Sequence, residues 1–283
     1  LALIIRNGDH RSNNYDNIAA RPRPSHADYA ASVRFSGHND VRGGGNFSGR
    51  LTAPLTAAGS VARQILKKHG ITVGGHISFI GSTADEPFDP VNIDPELLET
   101  LNKQYFSTVS EEARQKMTVE IAQAKQNGDS IGGELEIAVT GLPAGIGSPT
   151  VRGIENKISE AVFAVPAVKG VEFGFGFGFS SALGSEVNDE MYFDGDLIKC
   201  RTNNSGGITG GISNGMPLII RVAIKPTPSI SKQQNTVNLE TNKDDILIIE
   251  GRHDPCIVPR ALPAVEAAVA LALVDLLWEV KPL

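Results

Sequence analysis

The pattern of apolar and polar residues predicts a chain that mixes strands and helices. Short apolar or alternating runs predict strands at residues 71–80, 133–140, 168–173 and 218–224, of which 133–140 is expected to be half-buried. Apolar residues spaced three or four apart predict helices at residues 95–127, at 152–163, and in a segment that has Pro54 in its first turn and stops at Gly70. Pro263 is expected to begin a last helix, apolar nearly all round, that lies between two layers or in a subunit interface.

Three stretches lack that regularity. Residues 7–50 and 184–215 are rich in Gly and Asn and are expected to be long loops, the second of them mobile. Phe175, Phe177 and Phe179 alternate with glycines, which predicts a strand with one bulky face and one bare face. The bare face would let another backbone or a flat ligand come close. Long ordered loops such as residues 7–50 usually carry function.

The densest chemistry follows the apolar run at residues 246–249, which is expected to be a buried strand. Arg252, His253 and Asp254 come directly after it. A rigid strand that ends in an open loop is a common way to place reactive groups. The same residues are equally consistent with a structural turn in which Arg252 pairs with Asp254 and Pro255 stiffens the chain. The segment alone leaves both interpretations open.

Composition is that of an ordinary soluble globular protein. The chain has 283 residues, 41% of them hydrophobic and 20% charged, which allows one large domain or two intimate halves. No apolar run approaches the roughly 20 residues that span a bilayer, and the first ten residues lack the features of a signal peptide. The two cysteines, Cys200 and Cys256, allow at most one disulfide and are compatible with a reducing cytosol.

Charge is distributed unevenly along the chain. Residues 1–70 contain ten Lys/Arg and four Asp/Glu, a local charge of +6, whereas the whole chain carries −6. Most of those ten cations are arginines, which bind phosphate and carboxylate in a bidentate way. A small anionic ligand is a better prediction than nucleic acid, since aromatic residues make up only 6% of the chain. The alternative is a solvated basic face.

Two segments are candidates for binding an anion. Arg42 and Arg50 flank three glycines at residues 43–45, ahead of a predicted helix. Glycines let a backbone approach a ligand, and a helix N-terminus favours negative charge. The segment is not a P-loop, because no Gly-Lys-Ser/Thr follows. Lys225 and Ser229 lie on a proline-stiffened turn and suit a phosphate, although such residues are also typical of a plain strand end.

Several longer motifs, in fixed order over nearly the whole chain, resemble the chorismate synthase family. The resemblance implies an α+β fold, the β-α-β sandwich of that family, as a single domain over residues 1–283. It implies a lyase that forms chorismate by anti-1,4-elimination of phosphate from 5-enolpyruvylshikimate 3-phosphate, the last step of the shikimate pathway to aromatic amino acids. The motifs are RPSHADY at 23–29, RGGGNFSGRLTA at 42–53, PAVKGVEFG at 166–174, GSEVNDE at 184–190, NNSGGITGGISNG at 203–215, KPTPSI at 225–230 and GRHDPCIVPRALPAVEA at 251–267.

The resemblance also implies reduced FMN as the cofactor, although the reaction is redox-neutral overall, with NADPH needed at most indirectly to reduce it. The family's catalytic residues fall on His26, expected to protonate or hydrogen-bond the reduced flavin, and Asp254, expected to help remove the substrate proton. Substrate-binding arginines fall on Arg23, Arg50 and Arg252. The FMN contacts fall on Asn46, Phe47, Ser48, Pro166, Ala167, Gly210, Lys225, Pro226, Thr227, Pro228, Ser229 and Arg252.

Members of the family are typically cytosolic homotetramers, so the resemblance implies a cytoplasmic homotetramer without metal, nucleic-acid or membrane partners. The family has a further segment before LALIIR, with a second catalytic histidine, so the chain is expected to be N-terminally incomplete relative to it. Ser25 stands where the family usually has glycine, and NFSGRLT replaces a motif that begins with arginine. The alternative is a fragment or homologue that keeps the fold and binds flavin and anions without turnover.

Overall fold

Five strands form one antiparallel sheet in the computed structural model, which describes residues 2–6, 20–40, 42–249 and 253–280. The helices are α1 (Asp28–Arg34), α2 (Thr52–Lys68), α3 (Pro95–Leu101), α4 (Glu111–Gln126), α5 (Ile154–Phe163), α6 (Gly184–Val187) and α7 (Val258–Val280). The strands are β1 (Thr72–Ile80), β2 (Thr83–Ala84), β3 (Gly133–Thr140), β4 (Val168–Phe173), β5 (Met191–Asp194), β6 (Leu197–Cys200), β7 (Ile208–Thr209), β8 (Ile212–Ser213), β9 (Leu218–Ile224), β10 (Gln234–Asn238) and β11 (Lys243–Leu247). Short 3-10 helices lie at Arg42–Phe47, Gly49–Leu51, Thr150–Arg152 and Gly176–Ser181.

The order of strands in the sheet is β2-β1-β3-β9-β4, and neighbouring strands are antiparallel. Gly75 of β1 lies opposite Ile137 of β3, which lies opposite Ile220 of β9, which lies opposite Phe173 of β4. β9 is therefore an interior strand. The turn that follows it leaves the sheet between β3 and β4.

Helices cover both faces of this sheet. α2, α5 and α7 contribute to the main core, in which Leu66, Ile137 and Ile158 are fully buried. On the opposite face Leu98 of α3 packs against a smaller cluster that includes Ala138 and Ile219. Neighbouring residues of β3 thus enter different clusters, so both faces of the strand are covered. The expected α+β class is confirmed.

The long helix α7 begins at Val258, so the predicted start at Pro263 was wrong. Pro263 is tolerated inside the helix because it removes only the backbone hydrogen bond to the carbonyl of Pro259, near the helix start. The helix is long and apolar enough to cross a membrane, but 72% of its most apolar window is buried inside the fold. It packs against α2, α5 and β1 and acts as a core helix.

α2 and α7 cross closely because Gly59 has no side chain: a Cβ there would lie 2.2 Å from the Cβ of Ala267. The adjacent Glu266 is 4% exposed. Its Oε2 lies 3.1 Å from Nη1 of Arg63, and its Oε1 has no hydrogen-bond partner among the described residues. Burial raises the pKa of Glu266 to about 7, against the opposing charge of Arg63 and a backbone hydrogen bond from Gly75.

We expect the Glu266→Gln variant to gain stability relative to the parent as pH rises. The folded state holds the pKa of Glu266 at about 7, above its usual 4.5, so the folded state binds this proton more tightly and stability is lost as pH rises through that window. Relative to the variant, the parent should lose about 3 kcal/mol of unfolding free energy between about pH 4 and about pH 8. Urea unfolding at both pH values measures this loss, with Glu134→Gln on an exposed position as control. Parallel pH profiles for parent and Glu266→Gln would contradict the assignment.

A second buried polar cluster lies in the sheet around His76 of β1, which is fully buried. Its Nδ1 lies 2.7 Å from Oδ2 of Asp85 and its Nε2 lies 3.0 Å from Oε2 of Glu136. Asp85 also accepts hydrogen bonds from the backbone N–H groups of Val109 and Ser110. Burial acts to lower the pKa of His76, but the two carboxylates outweigh it and raise that pKa. Burial acts to raise the pKa of Asp85, but the hydrogen bonds that Asp85 accepts outweigh it and hold that pKa below its usual value.

Several predicted elements differ from the structure. Residues 95–127 form two helices, α3 and α4, rather than one. β3 is buried along both faces after Glu134, because Glu136 points into the buried cluster, so the half-buried interpretation was wrong. The run 246–249 is not a buried strand: Ile246 and Ile248 are 49% and 55% exposed, and within the described part of the chain β11 pairs with β10 alone in a two-stranded hairpin.

The glycine-rich predictions also need correction. Gly174 and Gly176 adopt φ of 55° and 57°, a left-handed backbone that turns the Gly-Phe repeat into a 3-10 helix instead of a strand. Residues 184–215 are not one loop, since they contain α6 and the hairpins β5–β6 and β7–β8. The described part of residues 7–50 contains α1 and 3-10 turns, while residues 7–19 and 41 lie outside the described ranges. Both cysteines are buried and free.

Candidate active site

One cavity of about 730 Å³ brings most of the predicted site residues together. It lies where the segment before α1, the glycine-rich segment before α2, the turn after β9 and the start of α7 meet. Its volume is in the range found for small-molecule sites. The predicted residues that line it are Arg23, His26, Asn46, Phe47, Ser48, Arg50, Pro166, Ala167, Lys225, Thr227, Pro228, Ser229 and Asp254.

Two predicted residues are not on this lining, and a third lies outside the described residues. Within the described ranges, neither Pro226 nor Gly210 lines the cavity. Gly210 lies in the turn between β7 and β8. Arg252 lies outside the described residues, so its assignment stays a prediction from the sequence.

Asp28, in the first turn of α1, holds Arg23 and His26 together. Its Oδ2 accepts hydrogen bonds from the Arg23 backbone N–H at 3.0 Å and from Arg23 Nε at 2.7 Å. Its Oδ1 lies 2.8 Å from Arg23 Nη2 and 2.5 Å from His26 Nδ1. Arg23 Nη1 donates to Oγ of Ser229 at 3.2 Å. Burial acts to raise the pKa of Asp28, but the hydrogen bonds from Arg23 and His26 and the charge of Arg23 hold it well below its usual range.

The turn after β9 offers several donors to the cavity. Lys225 Nζ donates to the backbone carbonyl of Ser25, and burial together with the charge of Lys169 lowers the pKa of Lys225. Oγ1 of Thr227 is buried without a hydrogen-bond partner in the described part of the chain. A lysine, a threonine and Ser229 form a donor set suited to a phosphate group. The unpartnered Thr227 hydroxyl fits a polar ligand atom at this position.

Asp254 lies shortly before α7, and its two carboxylate oxygens have different surroundings. Oδ1 accepts a hydrogen bond from the Cys256 backbone N–H at 3.4 Å. Oδ2 lies 3.0 Å from Nη1 of Arg260, but accepts no aligned hydrogen bond among the described residues. His253 is directed elsewhere, with its Nε2 3.2 Å from the carbonyl oxygen of Ile249.

Two residues of this site were missed from the sequence, Arg260 and Asp28. Arg260 lines the cavity and is the described ion-pair partner of Asp254. A cation in the first turn of α7, inside the motif that contains Asp254, was the available signal for it. Asp28 stands inside RPSHADY, where an acidic residue so close to Arg23 and His26 was the signal.

The backbone around the cavity is unusual at two positions. Ser25 and Ala167 line the cavity with φ of 60° and 73°. Non-glycine residues in this left-handed region are strained, and such strain often accompanies functional sites. The three glycines lie within the 3-10 segment Arg42–Phe47, and a second 3-10 segment, Gly49–Leu51, stands between them and the N-terminus of α2. The glycines therefore do not form a cradle directly on that helix.

Known proteins resemble this chain over nearly its whole length. A family model described as chorismate synthase matches residues 1–278. Chorismate synthase of Thermococcus gammatolerans is 45% identical over 275 residues, which cover 97% of this chain and 75% of the relative. Chorismate synthase of Pyrococcus abyssi is 44% identical over 286 residues, which cover 99% of this chain and 78% of the relative.

A solved structure titled "Crystal Structure of Chorismate Synthase" matches with a TM-score of 0.71 and 29% identity. The match covers 89% of this chain and 70% of that one. Nothing in these comparisons favours the alternative of a homologue that keeps the fold without turnover.

Proposed function

The chain belongs to the chorismate synthase family, and we propose that the cavity around His26 and Asp254 is where it forms chorismate. Chorismate synthases are enzymes that act on 5-enolpyruvylshikimate 3-phosphate. A carbon–oxygen bond to phosphate breaks and a proton leaves the substrate, which makes the enzyme a carbon–oxygen lyase. The observation that carries the proposal is that this cavity gathers both residues with Arg50 and the Lys225–Ser229 turn.

Arginines are proposed to bind the substrate and stabilise the departing phosphate, with Arg23, Arg50 and Arg252 in this role. Negative charge that develops as a bond breaks is stabilised most by charges already held in place. Arg23 is 8% exposed, and Asp28 and Ser229 fix its guanidinium. Arg23 therefore acts from the cavity wall as a fixed positive charge.

Reduced FMN is the proposed cofactor, and when bound it supplies electron density that assists cleavage of the carbon–oxygen bond. Lys225, Thr227 and Ser229 would hold its phosphate, since they provide a cation and hydroxyl groups at one end of the cavity. The other proposed contacts are Asn46, Phe47, Ser48, Pro166, Ala167, Gly210, Pro226, Pro228 and Arg252. NADPH is proposed only as an indirect source of the reducing equivalents.

Proton handling is assigned to His26 and Asp254. His26 is proposed to protonate or hydrogen-bond the bound flavin, and an imidazole suits this task because its ring nitrogens can donate or accept a proton. Asp254 is proposed to help remove the substrate proton. Its Oδ2 accepts no hydrogen bond from the described residues, which leaves a lone pair available to a ligand.

We also propose an oligomeric state, a location and a set of partners. The enzyme is proposed to be a homotetramer in the cytoplasm, without nucleic-acid or membrane partners. The net charge of −6 opposes nucleic-acid binding. Large apolar side chains are exposed on β5 and β6, with Phe193 at 79% and Leu197 at 64%. Patches of this kind often mark contacts between subunits, which supports assembly.

An anaerobic assay tests the proposed activity directly. The protein, photoreduced FMN and 5-enolpyruvylshikimate 3-phosphate should release chorismate and phosphate in equal amounts, without net consumption of reduced flavin. Oxidised FMN under the same conditions should give no product. Absence of chorismate while reduced FMN stays bound would contradict the proposal.

A further inference from the structure

Asp28 does not itself line the cavity, but its carboxylate bonds two residues that do, Arg23 and His26. Its side chain is 9% exposed, and it interacts with three nitrogen atoms of Arg23 and with Nδ1 of His26. Burying a carboxylate is costly unless it is fully paired. These contacts keep Asp28 ionised, so both of its oxygens act only as acceptors.

We propose that Asp28 is a positioning residue that fixes the tautomer of His26, an inference that rests on the proposed function. An acceptor 2.5 Å from Nδ1 requires a proton on Nδ1. In the neutral imidazole the other nitrogen, Nε2, then carries the free lone pair. Asp28 thus leaves Nε2 as the atom of His26 that exchanges a proton with a ligand.

The guanidinium of Arg23 does not compete for Nδ1. Arg23 Nη2 lies 3.0 Å from Nδ1, but arginine is a donor only and would need the Nδ1 lone pair. The same Nη2 already donates to Asp28 Oδ1 at 2.8 Å. The charge-assisted contact between Nδ1–H and the carboxylate is the stronger of the two alternatives.

Nε2 is directed toward the glycine-rich side of the cavity. A Cβ placed on Gly44 would lie 3.9 Å from Nε2, and Gly44 and His26 both line the cavity. Gly44 has φ of 86°, which favours glycine, and it leaves the space beside Nε2 without a side chain. Asp28 also orients Arg23 toward Ser229. The carboxylate of Asp28 therefore positions both the His26 imidazole and the Arg23 guanidinium.

The Asp28→Asn variant tests the inference, because asparagine keeps the size of the side chain and removes its charge. An amide N–H facing Nδ1 stabilises the opposite tautomer, with the proton on Nε2. We expect kcat to fall by about 10- to 100-fold, with KM for the substrate and FMN affinity changed much less. The matched control is Asp245→Asn. Asp245 lies on β11, and its Oδ2 is 2.6 Å from Nε of Arg21. Removing this ion pair should leave the parent's kcat unchanged.

Nitrogen NMR of the His26 ring provides a readout that a merely structural role would not move. At mildly alkaline pH the parent should show a protonated Nδ1 and an unprotonated Nε2, and Asp28→Asn should shift the ring toward the opposite pattern. A protonated Nε2 in the parent, or an Asn variant with unchanged kcat, would overturn the inference. This NMR measurement needs no substrate or flavin, so its outcome is separate from failure of the parent to form chorismate. It also tests the inference if Asp28→Asn fails to fold.

Discussion

Replacing His26 by alanine is expected to lower turnover by about 10²–10⁴-fold, the usual range for loss of an acid/base group. FMN binding should stay close to that of the parent, because the proposed phosphate contacts come from the Lys225–Ser229 turn and not from the imidazole. Anaerobic turnover and flavin titration on the same protein samples measure the two effects separately.

The matched control for this variant is His69→Ala. His69 is an exposed residue at the end of α2 and does not line the cavity. It should leave both turnover and FMN affinity unchanged. Equal turnover in His26→Ala and the parent would remove His26 from the reaction, and loss of FMN binding in step with turnover would mean that His26 acts mainly by binding the cofactor.

Replacing His76 by leucine should lower the free energy of unfolding by about 3–5 kcal/mol, the cost typical of removing one partner from a buried ion pair. The imidazole is fully buried between Asp85 and Glu136, and leucine would leave both carboxylates without their shared partner. Urea unfolding of His76→Leu and of the exposed control His69→Leu measures the difference. A loss below about 1 kcal/mol would mean that the carboxylates find other partners.

The same cluster predicts a pH dependence of stability. His76 has a pKa raised above its usual 6.5, so its contribution is fully present below pH 6.5 and is lost as pH rises through the raised pKa. Asp85 has a pKa lowered below its usual 3.8, so its contribution is present above pH 3.8 and is lost on further acidification. The cluster should therefore stabilise most between pH 3.8 and 6.5. In thermal unfolding, His76→Leu should lose less stability than the parent as pH rises through the raised pKa of His76, while keeping the loss that Glu266 causes.

The periodicity of apolar residues in the sequence correctly predicted the positions of helices and strands whose burial is regular. α2, β1 and β9 lie close to their predicted positions because each presents a continuous apolar face to one core. The prediction failed where backbone conformation decides the structure. The Gly-Phe repeat reads as a strand by alternation, yet the left-handed glycines Gly174 and Gly176 turn it into a 3-10 helix.

Motifs located the candidate site, but not how its residues contact one another. The sequence carries no signal that Arg23 contacts Ser229, which lies 206 residues further along the chain. Such pairings depend on how the sheet brings the turn after β9 next to the start of α7 and the segment before α1, and only the folded arrangement contains that information.

A crystal structure of this chain with oxidised FMN and 5-enolpyruvylshikimate 3-phosphate bound tests the central claim most directly. The account predicts both ligands in the cavity between α7 and the turn after β9, with the flavin phosphate on Lys225, Thr227 and Ser229. His26 Nε2 and Asp254 should face the ligands. Flavin or substrate bound elsewhere, with this cavity empty, would contradict the assignment of the site.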